Sequence, residues 1–130
     1  MGAWSHTSFA NDDASNWVAA LNRRGASAIA QAFAAVPEND EEPLGARAAC
    51  AALAAAEVVA ALAGAPAAQL PRKVTEWLVG KTPPTPELLE AARRAVKRVL
   101  RASELRDLWN ASPKAETWRA EVEGLLARLA

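Results

Sequence analysis

Glu57 is the ionisable residue whose position most needs a chemical explanation. It is the only charged residue between Arg47 and Arg72, in a stretch made almost entirely of Ala, Val and Leu. A buried carboxylate is costly unless it is paired or hydrogen-bonded. We therefore expect Glu57 either to reach solvent at a helix edge or to receive donors. The candidate donors are an Arg, the indole N–H of Trp4 or Trp77, and a backbone amide of the N-terminal segment. A catalytic carboxylate is the alternative.

His6 is the single histidine, and with Asp12, Asp13 and Glu57 it has the donor types of a His–carboxylate metal site or of an enzyme pocket. Nothing in the spacing supports that chemistry, because there is no second His and no Cys pair. Cys50 lies among alanines and is typical of a small buried hydrophobic residue. A Gly-x-Ser-x-Gly nucleophile motif and a Gly-rich phosphate loop are also missing from the sequence. We therefore predict no catalytic residue, cofactor or metal ion, and a turn-capping role for His6.

Two charged segments are the candidate contact surfaces. Spacings of three and four predict one exposed basic helix face, formed by Arg94, Lys97, Arg98 and Arg101 with Arg93 beside it. A polar loop carries four acidic residues, Glu38, Asp40, Glu41 and Glu42. This loop lacks the alternating Asp/Asn residues and central Gly of a calcium loop.

These charges are unevenly distributed although the chain is neutral, with 15 basic and 15 acidic residues. The part up to Glu42 is acidic and the remainder is basic, so one part can face the other or either can meet a partner. The basic face could attract nucleic acid. We favour a solvated helix face in which Glu90 pairs with Arg94, because no aromatic residue lies among the basic ones.

The elements that must position these residues are helices. Hydrophobic residues make up 52% of the chain but aromatic residues only 5%, and alanine, the best helix former, accounts for much of the difference. No alternating run of β-branched residues predicts a strand. We predict an all-α, single-domain protein over 1–130, with an irregular leader at 1–10 packed on a bundle of about six helices.

Capping and proline signals set the expected helix boundaries. The first helix starts at Asn11–Asp13 and ends at Gly25, and the second runs to about Val36. The third has Pro43 in its first turn and ends near Ala63. A short fourth helix ends at Gly80, before a proline-rich linker at 81–86. The fifth starts at Pro86 and its apolar stripe continues through Leu108 and Trp109, while the last starts at Ser112-Pro113.

Five Trp residues are many for a chain of this size. Helical phase predicts that Trp17, Trp77, Trp109 and Trp118 lie in the core. Trp4, in the leader, is either a plug over the core or a contact residue.

Three blocks of the chain resemble a known family. The first is Met1-Gly2-Ala3-Trp4 followed by Ser8-Phe9-Ala10-Asn11-Asp12-Asp13-Ala14 and Trp17, the second is 55–61, and the third is Ser103-Glu104-Leu105-Arg106-Asp107-Leu108-Trp109 followed by Trp118. Together they resemble the bacterial domain of unknown function DUF4259 over nearly the whole chain. Ser5 and Asn16 depart from the Gly and Asp that are usual in that family.

The resemblance implies a helical fold and no established activity. It directs attention to the residues that carry it, which are Trp4, Phe9, Asn11, Asp12, Glu57, Glu104 and Trp109. Our hypothesis is that the leader folds back over the bundle, with Glu57 or Glu104 accepting hydrogen bonds from its backbone or from Trp4.

The sequence therefore favours a small, non-catalytic protein-binding module of the cytoplasm. It shows no signal peptide and no apolar run long enough for a membrane span. An immunity or antitoxin-type protein that neutralises a bacterial toxin is one alternative. A small-molecule binder or enzyme using Glu57, Asp12 and His6 is another, and a weak nucleic-acid binder acting through the basic face is a third. The sequence gives no indication of the oligomeric state.

Overall fold

The computed structural model describes residues 12–68 and 70–130, and this part of the chain contains seven α-helices and no strand. The helices are α1 (Asp12–Arg24), α2 (Ala26–Ala34), α3 (Ala46–Leu62), α4 (Arg72–Leu78), α5 (Pro86–Arg101), α6 (Glu104–Asn110) and α7 (Ala115–Arg128). The all-α prediction is confirmed. Within these residues, no helix is both long and apolar enough to cross a membrane.

Helix α3 is the centre of the bundle, because it contacts all six other described helices. Every residue from Ala52 to Ala60 is buried, Glu57 included. A helix surrounded on all sides must present small side chains if its neighbours are to approach closely and leave no voids. The alanine content of this segment is therefore a packing requirement of its central position.

The fifth helix is shorter than predicted, and its second half is a separate helix. Ala102 and Ser103 are extended, which separates α5 from α6. The Ser103 hydroxyl accepts a hydrogen bond from Arg106 N at 3.0 Å and donates one to Val99 O at 2.8 Å. Leu108, which we expected in the apolar stripe, is 51% exposed because α6 does not continue the phase of α5.

Two other predicted starts were wrong. Helix α3 begins at Ala46 rather than Pro43, because Leu44 pairs with the start of α6 through a hydrogen bond from Glu104 N to Leu44 O of 2.9 Å. Helix α7 begins at Ala115, and Lys114 rather than Ser112 is at its N-cap position. The linker residues 81–85 carry no helix, and Thr85 caps α5 as expected by accepting from Leu88 N at 3.1 Å.

Three of the predicted core tryptophans are buried. The Trp17 indole donates to Ala28 O at 3.2 Å, and Trp109 and Trp118 are stacked with ring centroids 6.3 Å apart. Trp77 is only half-buried, with the Lys81 ammonium 4.7 Å from its ring centroid, so a core position was wrong for this residue. Trp4 lies outside the described residues.

Ser103→Ala should lower the free energy of unfolding by about 1–2 kcal/mol, because it removes the cap of α6 and a buried hydrogen bond to α5. Urea denaturation followed by circular dichroism measures this change. Ser27→Ala is the control, since its exposed hydroxyl bonds only to the preceding turn within the described chain, and it should stay within about 0.5 kcal/mol of the wild type. Equal stability of both variants would contradict this role of Ser103.

Candidate functional site

The predicted acidic loop and the predicted basic face lie against each other. Arg98 is only 3% exposed, so its expected place on an exposed face was wrong. Its guanidinium donates to three backbone carbonyls of the loop, those of Pro37, Asn39 and Glu42. A fourth hydrogen bond, from Nε to Ala102 O at 2.8 Å, ties the same group to the end of α5. A planar cation with five donors can satisfy this many acceptors from one position, which Lys cannot do.

Asp40 is the acidic residue of the loop that meets the basic helix directly. Its carboxylate accepts from Arg101 Nε at 2.8 Å and from Arg101 Nη2 at 2.6 Å, and it lies 3.7 Å from Arg98 Nη1. The hydrogen bond from Arg101 lowers the pKa of Asp40, and the same bond raises the pKa of Arg101. Both side chains stay about half exposed, which leaves this pair open to solvent.

The other acidic residues of the loop make no ion pair within the described chain. Glu38, Glu41 and Glu42 are exposed. The backbone N–H of Glu41 donates to Asn39 Oδ1 at 2.9 Å, a local turn that shapes the loop from within. Only Asp40 therefore couples the charge of this loop to α5.

The rest of the basic stripe divides into paired and unpaired residues. Glu90 pairs with Arg93 at 3.0 Å and not with Arg94, which corrects the expected pairing, and Arg93 also donates to Leu129 O at 2.6 Å. The hydrogen bond from Arg93 lowers the pKa of Glu90. Arg94 and Lys97 are exposed and form no hydrogen bond or ion pair with the described residues.

A groove of about 980 Å³ runs between α2 and α5, beside the acidic loop. Its floor contains half-buried apolar side chains, among them Phe33, Val36 and Leu88, with Ala91 between them. The expected burial of Phe33 is thus only partial. This groove combines an apolar surface that remains accessible with polar walls, which is the usual composition of a binding cleft.

Charged residues form the walls of the groove. Arg94, Lys97 and Arg101 line it from α5, and Glu38 and Glu87 line it at its acidic margin. Arg98 also contributes to the lining, but its guanidinium is committed to the loop carbonyls. Arg94 and Lys97 are three residues apart on one helix and so point to the same side.

Glu57 lies elsewhere, in the core between α3 and α7. It is 4% exposed, and its two carboxylate oxygens accept from Arg128 at 2.8 and 3.3 Å. Arg128 also donates to Ala65 O at 3.2 Å, so one guanidinium joins α3, α7 and the turn after α3. An Arg was among the expected donors, and that expectation is confirmed.

Of the residues highlighted by the family resemblance, the four that the structure describes lie on three different helices, α1, α3 and α6. Glu104 Oε1 accepts from Ala46 N at 2.7 Å and caps the start of α3, which is about 16 Å along the helix from Glu57. Asp12 is exposed at the first position of α1, and Trp109 is in the tryptophan stack. Trp4, His6, Phe9 and Asn11 lie outside the described residues, and so does the proposed packing of the leader.

The described residues also offer little for metal or thiol chemistry. They contain no group of three or more His, Cys, Asp or Glu side chains that could hold a metal ion. Burial, with a smaller contribution from Asp13, raises the pKa of Cys50 to about 12, so this residue stays a thiol at neutral pH.

Comparison with known proteins gives the family. Residues 2–121 match the domain of unknown function DUF4259. The chain belongs to this family. No curated protein and no solved structure matches it. The match includes the acidic loop, both groove helices and Arg98, whereas Arg128 lies beyond it, so the DUF4259 match covers the groove but only one partner of the Glu57 ion pair.

The groove itself was not predicted. The α5 wall was visible in the sequence as the basic stripe, but of the acidic segment only Glu38 lines the groove, and nothing indicated that α2 would form the second wall. The signal that could have joined the basic stripe to the acidic segment is the phase of Arg98, which shares its helix face with Ala95 and Ala91 as well as with Arg94 and Arg101.

Arg98→Ala should lower the free energy of unfolding by at least about 2 kcal/mol, because it leaves three loop carbonyls without this donor and opens a cavity. Arg94→Ala, on the exposed side of the same helix, is the control and should change stability by less than about 0.5 kcal/mol. Thermal and urea unfolding measure both. A difference of less than about 0.5 kcal/mol between the two variants would show that Arg98 does not hold the loop.

Glu57→Ala should destabilise the protein by about 3 kcal/mol or more, because it leaves the Arg128 guanidinium without its carboxylate. In the Glu57→Ala background, Arg128→Met should lower the free energy of unfolding by much less than it does in the wild type, because the ion pair has already been lost. Denaturant unfolding of the wild type, both single variants and the double variant measures the coupling. An unchanged melting temperature for Glu57→Ala would refute the role of this pair.

Proposed function

We propose that this protein is a non-catalytic protein-binding module and that the groove between α2 and α5 is its contact surface. The occupant that fits is an amphipathic helix of another protein, with its apolar side on the groove floor and acidic residues opposite Arg94 and Lys97. The observation that carries the proposal is the accessible apolar floor beside Arg94 and Lys97, two exposed cations that form no hydrogen bond or ion pair within the described chain.

The floor supports the apolar half of this proposal. Phe33, Val36 and Leu88 are each half-buried, so part of their apolar surface still faces water. Removing such surface from water is favourable by roughly 25 cal/mol per Å². A cleft bounded by two helices with an apolar floor is the usual receptor for the apolar side of a third helix.

The walls support the choice of an acidic partner. Arg94 and Lys97 project from one side of α5, and an opposing helix with Glu or Asp at spacings of three and four would match them. Glu38 and Glu87 lie at the margin and disfavour acidic residues there. This arrangement of charges favours one orientation of the proposed partner helix.

The two other classes of function receive less support from the described geometry. Glu57, the expected centre of an enzyme or small-molecule site, does not line the groove and bonds to Arg128 through both oxygens. A nucleic-acid surface would need a row of free cations, but Arg98 is buried and Arg101 is paired with Asp40. A toxin is one kind of protein that such a module could bind.

Site-specific photo-crosslinking tests this proposal. In one variant a photo-reactive phenylalanine replaces Ala34, which is exposed and lines the groove. In a second variant of the same chain it replaces Ala120, which is exposed on α7 outside the groove. Both are irradiated in native lysate, and the adducts are identified by mass spectrometry.

We expect one protein to crosslink at position 34 and not at position 120, through a peptide that is amphipathic and acidic. Ala30→Glu, which adds a carboxylate on the exposed α2 wall, should abolish the adduct, whereas the matched Ala120→Glu should leave it unchanged. Equal adducts at both positions, or an adduct insensitive to Ala30→Glu, would exclude the groove as the contact surface.

A further inference from the structure

Arg101 lines the proposed groove, and its pair with Asp40, which does not line the groove, has the geometry of carboxylate recognition. Arg101 presents Nε and Nη2 side by side, and the two oxygens of Asp40 accept at 2.8 and 2.6 Å. This two-bond arrangement is the strongest and most directional way in which Arg binds a carboxylate. Any other carboxylate that reached Arg101 from the groove would bind through the same two donors.

The loop does not need this pair to keep its position. Arg98 already holds the loop through the carbonyls of Pro37, Asn39 and Glu42, and Arg98 is buried. The Asp40 side chain contributes only its carboxylate, at a place where it and Arg101 are both about half exposed. Asp40 also lies 3.7 Å from Arg98 Nη1, but Arg98 keeps its carbonyl acceptors when the carboxylate moves, whereas Arg101 forms its hydrogen bonds to Asp40.

We propose that Arg101 is a carboxylate-binding residue of the groove and that Asp40 masks it until a carboxylate of the acidic partner helix takes its place. This inference rests on the proposed function and adds its regulation: Asp40 is an internal competitor of the partner. Together with Arg94 and Lys97, an unmasked Arg101 extends the row of cations on α5 by one further turn.

The exchange is energetically accessible because the masking pair is exposed to solvent. The two-bond geometry favours this pair, but because both side chains are about half exposed, solvent screens the attraction and the pair contributes only modestly. Competition of this size reduces affinity for an acidic ligand by roughly two- to five-fold. Masking of Arg101 by Asp40 therefore lowers the affinity of the groove for acidic ligands modestly, and a partner with several carboxylates can still bind.

A defined peptide tests the proposal without knowledge of the natural partner. The probe is a fluorescein-labelled, 18-residue helical peptide with a stripe of Leu flanked by Glu, and its twin carries Gln at every Glu position. Fluorescence anisotropy at low salt gives the Kd of each peptide for the wild type, Asp40→Asn, Arg101→Gln and the double variant. Glu41→Gln is the matched control, because it removes the same charge from an exposed neighbour of Asp40.

We expect Asp40→Asn to bind the Glu peptide about two- to five-fold more tightly than the wild type, with an unchanged circular dichroism spectrum. Glu41→Gln should show a smaller gain, the double variant should match Arg101→Gln, and the Gln peptide should show no gain. Equal gains for Asp40→Asn and Glu41→Gln would overturn the mask, because the effect would then be one of net charge. A gain that persists without Arg101 would overturn it as well.

The same titrations separate the failure of this inference from that of the proposed function. If Ala30→Glu abolishes binding of the Glu peptide while Asp40→Asn leaves its Kd unchanged, the groove remains the proposed contact surface and the masking of Arg101 by Asp40 is wrong. If Ala30→Glu leaves peptide binding unchanged, or if Asp40→Asn binds neither peptide, the groove is not a helix receptor and both proposals fall. Tighter binding of a single-stranded oligonucleotide than of the Glu peptide by Asp40→Asn would overturn the acidic helix as the partner.

Discussion

The position of the Arg98 side chain is the constraint on which the functional face depends. A guanidinium with almost no exposure must have its donors satisfied inside the protein. It does so with backbone carbonyls of the loop between α2 and α3, at sequence distances of 56 to 61 residues. Since carbonyls carry no full charge, the loop is held without a buried carboxylate, and its acidic side chains remain outside. The backbone contacts to Arg98 therefore hold the path of the loop, and the charged side chains of the loop take no part in those contacts.

A second arginine contact ties another part of the bundle by different means, because the partly exposed Arg128 bonds to the buried Glu57. Helix α3 brings mostly small side chains to the core, which pack closely but contribute little directional information. Glu57 places one charge in that core, and both of its carboxylate oxygens accept hydrogen bonds from Arg128 of α7. Such a pair adds little net stability relative to a well-packed apolar core, but a placement of α7 that separated the two side chains would leave the buried carboxylate without this partner. The pair thus adds a directional contact to an alanine-rich bundle.

The sequence predicted the helical class, most helix boundaries and the burial of three tryptophans, because these follow from local periodicity and capping. It failed where two elements distant in the chain decide the outcome. In the sequence, apolar residues keep a helical spacing from Leu88 to Trp109, so periodicity alone did not show the break between α5 and α6, although Ser103 followed by Glu104 is a recognisable cap. The phase of Arg98 places it beside the buried Ala95, but its burial depends on the loop that covers it, and a spacing rule for one helix does not identify that loop.

The sequence offered the acidic loop and the basic face of α5 as alternative contact surfaces, whereas in the structure the two lie against each other. An acidic segment and a basic stripe in a neutral chain have two uses, to bind each other or to bind a partner. In this DUF4259 protein the buried arginine performs the first, through backbone carbonyls, and we propose that the exposed Asp40–Arg101 pair leaves room for the second. Burial makes the Arg98 contacts costly to break, whereas exposure makes the Arg101 contact exchangeable. Two arginines three positions apart on one helix thus differ in the role that we assign to them, a structural tie for Arg98 and a binding group for Arg101, and this difference lies in solvent access rather than in residue type.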